Sequence, residues 1–188
     1  DDARSTRMFG MAIGVLGPVL VAAALVAVRD EVEGANLALI LVLGSVVFFT
    51  LFELGGSALS QFSERSTQLP NDGFFTVTSG QTQSFNGAFI LIFAPIFAMM
   101  WTWLGRHKKD PGDVFKFALA LIQVGAGFLV LVWGVQYADA EYKVPLIFLV
   151  LLYLLHTTGE LFLSPVGLSA MTKLTPAPIA ATMMATWY

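Results

Sequence analysis

The sequence predicts an all-α fold, a polytopic transmembrane helical bundle, and two observations support this prediction. Of 188 residues, 56% are hydrophobic and 12% are charged, whereas a soluble domain has about 25% charged residues. The charged residues also gather in short segments between apolar runs, and these runs have the roughly 20 residues that a membrane-spanning helix needs. Lipid is therefore the expected surrounding of most of the chain.

Composition also excludes several classes of function. The net charge is -3 and the chain has no basic patch of the kind that contacts phosphates, so no nucleic-acid partner is expected. The chain has no cysteine, which excludes disulfides and thiolate chemistry. Its two histidines, His107 and His156, are too far apart for a convincing metal centre. We therefore expect neither a metal nor a cofactor.

The apolar runs predict five complete spans and the beginning of a sixth. The complete spans are 8–28, 37–62, 85–104, 114–135 and 144–163, and the partial segment is 179–188. A long polar loop, 64–83, separates the second and third spans, and YADAEYK, at 137–143, separates the fourth and fifth. Because the last segment stops after about ten residues, short of a crossing, the chain is expected to be a fragment, or the visible part, of a larger membrane protein.

Charge distribution predicts the orientation of these spans. The strongest basic cluster is RHKK at Arg106–Lys109, and short loops rich in Lys and Arg stay in the cytoplasm. The 64–83 and 137–143 loops then lie outside. Arg4 and Arg7 would also lie outside, which the rule does not favour. Lys116, near the start of its span, is expected to extend to the lipid headgroups.

Glycine and proline mark the positions where the helices are expected to bend. Gly55-Gly56 and Ser164-Pro165 are the predicted breaks, and Pro95 predicts a kink in the third span. Further glycines, among them Gly127 and Gly159, are expected to let helices approach closely.

Glu53 and Glu160 are the only carboxylates deep in the spans. Ionisable residues at such positions usually face a cavity and serve a function, although each acid could instead pair with an Arg or Lys on another helix. On a helix, His156, Glu160 and Ser164 share one face, since they are four residues apart. That spacing is compatible with a proton relay, but we favour His156 as a packing residue.

Other polar and aromatic residues leave two interpretations open. Asn86, at the head of the third span, could form hydrogen bonds in a cavity or cap its helix. Trp187 could line a pocket or belong to an aromatic belt at the membrane surface. Gly167-Leu168-Ser169 resembles the Gly-x-Ser motif of intramembrane serine proteases, but the only nearby histidine lies on the same segment, so an enzyme is disfavoured.

Several motifs together resemble one family. They are FELGGSAL with the following FSER, then QSFN, WTWLGR, GELFLSPVGLSAMTKLTP and MMATWY. The series is similar to the C-terminal half of the proton-dependent oligopeptide transporters of the major facilitator superfamily, from about Leu51 to Tyr188. The resemblance implies two units. Residues 1–35 would form an inserted transmembrane helix with a cytoplasmic turn, and residues 36–188 would form helices seven to ten and the start of helix eleven.

The resemblance also implies a function and a set of site residues. It implies a proton-coupled symporter of a bacterial inner membrane that imports di- and tripeptides and is completed by an N-terminal half. Glu160, with Ser164 one turn further, would bind the peptide amino terminus and approach an N-half lysine. Asn86 would hydrogen-bond the peptide and Trp187 would line the pocket. Glu53 would pair with an N-half arginine in a gate and take part in proton coupling.

Two residues depart from the family pattern. Leu54 stands where the family usually has Gln after the helix-seven acid, which bears on the polar network of the gate. Gly87 stands where the family usually has Pro after the helix-eight asparagine, which bears on local helix geometry. Neither departure removes a charge.

Other functions remain as alternatives. A carrier of another small solute, such as nitrate, would have no need for Glu160. A non-transporting scaffold subunit is disfavoured by two acids in the spans together with a predicted helix break. An intramembrane enzyme is disfavoured because the sequence offers neither a nucleophile–base pair nor a metal-binding set.

Overall fold

The computed structural model describes residues 34–70 and 76–174, which fold into a helical bundle. The helices are α1 (Gly34–Phe52), α2 (Ala58–Ser66), α3 (Ser79–Thr82), α4 (Ser84–Arg106), α5 (Asp113–Gly134) and α6 (Leu146–Leu174). Two short strands, β1 (Thr67–Gln68) and β2 (Val144–Pro145), and 3₁₀ turns at Glu53–Gly56 and Val135–Tyr137 connect them.

Four stretches of the described part are long and apolar enough to cross a membrane. They are Ile40–Ser66, Ser79–Arg106, Asp113–Tyr137 and Leu146–Gly167. The predicted all-α transmembrane bundle is confirmed, and so are the four predicted spans that fall within this part. The predicted span at 8–28 and the partial segment at 179–188 lie outside the described residues.

The first described span is interrupted where the glycine pair predicted it. α1 ends at Phe52, and the 3₁₀ turn Glu53–Gly56 precedes α2. Gly55 approaches Tyr153, since a Cβ added at Gly55 would lie 3.7 Å from Tyr153 Cε1. The predicted bend at Gly55-Gly56 is therefore confirmed, and it places Glu53 at the interruption.

The predicted break at Ser164-Pro165 is wrong. α6 continues from Leu146 to Leu174 with Pro165 inside it. Proline's fixed φ is compatible with a helix, and its missing N–H removes a single bond, to the carbonyl of Leu161. Leu163 and Val166 on either side are buried in the core, and we attribute the continuity of the helix to this packing. α4 likewise includes Pro95.

α5 and α6 form the closest seam of the bundle, and glycine makes it possible. A Cβ added at Gly127 would lie 2.7 Å from His156 Cδ2, and one at Gly159 would lie 3.1 Å from the carbonyl oxygen of Ala120. The predicted close approach at these glycines is confirmed. The main core of α1, α5 and α6 contains Leu41, Phe48, Val114, Phe117, Ala118, Ala120, Leu121, Val124, Leu163 and Val166.

α4 packs on α6 through aromatic side chains and leaves its outer face uncovered. The Phe162 ring lies 5.1 Å from that of Phe97 and 5.4 Å from that of Trp101, both edge-on. Leu91 and Met99 are among the exposed apolar side chains of α4. Apolar exposure of this kind is expected of a helix that meets lipid or further protein.

Lys116 does not extend to the surface, so that prediction is wrong. Its side chain is only 8% exposed, and its Nζ lies 2.9 Å from Asp110 Oδ1 and 4.5 Å from the centre of the Trp101 ring. A carboxylate and an aromatic face stabilise the ammonium group within the bundle. The loop that contains Arg106–Lys109 is thereby attached to α4 and α5.

The other end of the bundle carries a small strap, formed by β1 and β2. The strands pair in parallel, Thr67 with Val144 and Gln68 with Pro145. Gln68 Nε2 also donates hydrogen bonds to Asp139 Oδ2 at 3.1 Å and to the carbonyl of Lys143 at 3.0 Å. The two loops predicted to share one side of the membrane are therefore joined.

The predicted 64–83 loop is shorter than expected at both ends. α2 continues to Ser66, and Ser79–Thr82 forms α3. Thr78, which precedes α3, forms a capping box with Gln81, and its backbone N–H donates to Gln81 Oε1 at 2.9 Å.

Candidate functional site

A pocket of about 170 Å³ lies between the α1–α2 interruption, the start of α4 and the middle of α6. Its polar lining consists of Glu53, Gln83, Asn86, Tyr153 and His156. The Glu53–Gly56 turn contributes Glu53 because the helix is interrupted there. The pocket therefore collects polar side chains from three separate spans.

Asn86 connects α4 to α6. It lies in the first turn of α4, and its Nδ2 donates to Thr157 Oγ1 at 3.0 Å and to Glu160 Oε2 at 3.5 Å. Thr157 Oγ1 in turn donates to the carbonyl of Tyr153 at 2.7 Å. Two of the sequence-predicted site residues, Asn86 and Glu160, are thus in contact.

Glu160 and Glu53 approach the site from different helices. Glu160 is half-buried on α6, and Glu53 is exposed at the interruption and lines the pocket with Asn86. Asn86 connects them, because it lies 3.5 Å from Glu160 Oε2 and lines the same pocket as Glu53. Within residues 34–70 and 76–174, neither acid forms an ion pair with a Lys or Arg. The site therefore presents carboxylate and amide groups without a neutralising cation from the described residues.

His156 serves the α5–α6 seam. Its ring is buried, its Nε2 lies 3.2 Å from the carbonyl oxygen of Val124, and it packs against Phe52 and Phe128. This geometry agrees with the packing role that the sequence favoured over a relay with Glu160.

The remaining predicted site residues are placed differently. Ser164 lies one turn beyond Glu160 and is half-buried, while the α6 groups that meet Asn86 belong to Thr157 and Glu160. Trp187 lies outside the described residues. Among residues 34–70 and 76–174, no group of three His, Cys, Asp or Glu side chains could hold a metal ion.

Sequence reasoning missed Thr157 and Tyr153. Tyr153 lines the pocket, and Thr157 contacts Asn86 directly. Helical spacing could have revealed both residues. Thr157 and Tyr153 stand three and seven positions before Glu160, so they lie on the same face of the helix. Both side chains are uncharged, so a pattern of charged residues does not reveal them.

Comparison with known proteins shows which family this chain resembles. The model of the POT family matches residues 8–188. The chain belongs to the POT family. It is 38% identical over 161 residues to the "Uncharacterized transporter YclF" of Bacillus subtilis (strain 168), which covers 85% of this chain and 32% of the relative. It is 31% identical over 151 residues to a "Di-/tripeptide transporter" of Lactococcus lactis subsp. cremoris, with 79% of this chain and 30% of the relative covered.

Solved structures confirm the predicted fold of the major facilitator superfamily. The crystal structure of peptide transporter POT in complex with sulfate matches with a TM-score of 0.72 and 34% identity, over 97% of this chain and 38% of that one. A POT family transporter in complex with 5-aminolevulinic acid matches with a TM-score of 0.66 and 29% identity, over 94% of this chain and 37% of that one. The chain thus spans about a third of the length of these relatives.

Proposed function

We propose that this chain forms the C-terminal half of a proton-coupled symporter that imports di- and tripeptides across a bacterial inner membrane. The observation that carries the proposal is the contact of Glu160 with Asn86, which lines a pocket together with Glu53. Acids in an apolar span are costly, and they persist where a substrate, a proton or a distant cation uses them. Relatives named peptide or di-/tripeptide transporters support the choice of substrate.

In this proposal, Glu160 binds the ammonium group of the peptide. An ammonium–carboxylate hydrogen bond is charge-assisted and strong where water is excluded. Asn86 adds a neutral hydrogen bond, and Ser164 and Trp187 are further peptide-binding residues of the proposal. The N-terminal half supplies the cations that hold the peptide carboxylate. An acceptor-rich pocket of this kind is poorly suited to nitrate, and it matches the amino end of a peptide.

Glu53 couples transport to protons. It stands where the span is interrupted, so a change in its charge acts on a segment already free to bend. Protonation weakens its ion pair with the N-terminal half and loosens one gate, and the two halves then rock around the central site.

The proposal also includes the division of the chain and its orientation. Residues 1–35 belong to the inserted helix, residues 36–188 belong to the C-terminal bundle, and the Arg106–Lys109 loop faces the cytoplasm.

Uptake of a labelled dipeptide by the full-length protein in proteoliposomes tests the proposal. We expect accumulation above equilibrium with an inward proton gradient and only equilibration without it. An excess of unlabelled dipeptide should compete, whereas an N-acetylated dipeptide, which lacks the ammonium group, should compete poorly. Accumulation that ignores the gradient would refute proton coupling, and equal competition by the acetylated peptide would refute ammonium recognition.

A further inference from the structure

We propose that Thr157 is a positioning residue that fixes the orientation of the Asn86 side-chain amide, so that Asn86 Oδ1 is presented to the amino end of the substrate. Thr157 is fully buried on α6, and Asn86 lies opposite it on α4. The inference rests on the proposed function and assigns a new role within the same site.

The first step concerns the single proton of the Thr157 hydroxyl. That proton is directed to the carbonyl of Tyr153 by a 2.7 Å hydrogen bond within α6. A hydroxyl has one donor and two acceptor lone pairs. With its donor used, Thr157 Oγ1 meets Asn86 as an acceptor only.

The second step concerns the two ends of the Asn86 amide. The atom 3.0 Å from Thr157 Oγ1 must be a donor, and it is Nδ2. The same Nδ2 lies 3.5 Å from Glu160 Oε2, which is also an acceptor when the acid is ionised. A flipped amide would place Oδ1 against both acceptors, so Thr157 and Glu160 select the same orientation.

The third step follows from the planar shape of the amide. With Nδ2 directed to α6, Oδ1 lies on the other side of the side chain, and Asn86 lines the pocket that Glu53 also lines. No described hydrogen bond uses Oδ1. An ammonium group offers three N–H donors in different directions, and one amide oxygen beside two carboxylates provides acceptors for them.

Thr158 provides a matched control on the same helix. Its hydroxyl also bonds its own backbone, at 2.9 Å to the carbonyl of Leu154, but its side-chain partner is Gln123 Oε1 on α5, at 2.9 Å. The two threonines are adjacent and both are part of interhelical contacts. Only Thr157 reaches Asn86.

The test measures KM and maximal uptake of a labelled dipeptide by the full-length transporter in proteoliposomes, at one fixed inward proton gradient. Thr157→Val keeps the shape and removes the hydroxyl. It should raise KM about tenfold, the size expected when one buried hydrogen bond is lost, with little change in maximal uptake. Thr157→Ser should stay within about twofold of wild type, and Thr158→Val should leave KM unchanged.

A double-mutant cycle separates positioning from general packing. In an Asn86→Ala background, Thr157→Val should raise KM no further, because the group that it orients is gone. An equal tenfold increase in that background, or a Thr157→Ser variant as impaired as Thr157→Val, would overturn the inference. Should Thr157→Val fail to fold, Thr157→Ala enters the same cycle.

The two proposals fail in different ways. A wild-type protein that takes up no dipeptide would overturn the proposed function and this inference with it. Normal wild-type uptake, combined with independent effects of Thr157 and Asn86, would overturn the inference alone.

Discussion

Lys116 and Glu160 both place a charged group in an apolar span, yet they differ in where their partners are. Lys116 has its counter-ion, Asp110, and the face of Trp101 within the described structure. Glu160 has an amide and an acidic neighbour, Glu53, and no Lys or Arg of residues 34–70 and 76–174 neutralises either acid. The Lys116 ammonium group is therefore neutralised within the described structure, whereas the Glu160 carboxylate is not.

The difference separates a structural use of charge from a functional one. A buried ion needs a partner, and a pair that is complete within the bundle fixes a loop or a helix end. An acid that is not neutralised can take a proton, bind an ammonium group or meet a cation of another part of the protein. Substitutions at the two sites should therefore affect different properties: protein stability for Lys116 and transport for Glu160.

The largest effect is expected for Glu160→Gln in the full-length protein. The substitution keeps the shape but removes the charge that is proposed to bind the ammonium group. Loss of one partner of a desolvated charge pair costs about 2–5 kcal/mol. Concentrative dipeptide uptake in proteoliposomes should fall at least roughly 30-fold. Lys116→Met, the matched control, should retain uptake once the amount of folded protein is equalised. If Glu160→Gln accumulates dipeptide as well as the wild type, Glu160 does not bind the substrate.

Glu53→Gln should affect proton-driven accumulation and counterflow exchange differently. We expect proton-driven accumulation to be lost and counterflow exchange, which needs no net proton movement, to persist. The reason is that Glu53 stands at the helix interruption, whereas the side-chain hydrogen bonds of Asn86 go to Thr157 and Glu160. Counterflow and gradient-driven uptake of the same labelled dipeptide measure the two activities. A variant that still accumulates peptide on acidification would assign coupling to another group.

The predictions that succeeded depended on local properties of the sequence. The four described spans follow from length and apolar content alone. The interruption at Glu53–Gly56 follows from two successive glycines, which give an apolar helix neither side-chain packing nor stiffness. The family resemblance assigned Asn86 and Glu160 to one site, but their direct contact was not predicted, because no local rule joins residues on different helices.

The predictions that failed needed the packing of distant residues. Pro165 predicted a break, but the buried residues around it belong to a continuous α6. Lys116 was expected at the surface, because the sequence does not show that Trp101, on the preceding helix, provides a face for it. Thr157 was missed because a hydroxyl in a helix usually bonds its own backbone, and its second contact, to Asn86, is a tertiary one.

An intermediate effect is expected at the Lys116 pair, and it should be asymmetric. Asp110→Ala leaves an ammonium group that is 8% exposed without its counter-ion, whereas Lys116→Met leaves a carboxylate that is 46% exposed to solvent. We expect a loss of about 3 kcal/mol for the first and about 1 kcal/mol for the second. Thermal unfolding of the full-length protein in detergent measures both. Equal losses, or a larger loss for Lys116→Met, would show that burial does not set the cost.

The smallest effect is expected at Asp139, whose carboxylate is hydrogen-bonded but exposed to solvent. Its Oδ1 accepts the backbone N–H groups of Lys143 and Glu141, each at 2.9 Å, and the bond from Lys143 is the main cause that holds the pKa of Asp139 below its ordinary value of 3.8. A pKa lowered by folding stabilises the protein above the ordinary value, and that stabilisation is lost as the pH falls through the lowered one. Asp139→Asn should thus unfold slightly more easily than wild type near neutral pH, and the two should converge as the pH falls below the ordinary pKa of 3.8. Thermal unfolding near neutral pH and in acid measures this difference. Glu141→Gln is the control, because it keeps the backbone N–H groups that bond Asp139 and removes only the exposed Glu141–Lys143 ion pair. A difference that persists unchanged in acid would mean that Asp139 acts through its shape. A difference as large as that of Asp110→Ala would mean that hydrogen bonding, rather than burial, sets the cost of a lost charge in this bundle.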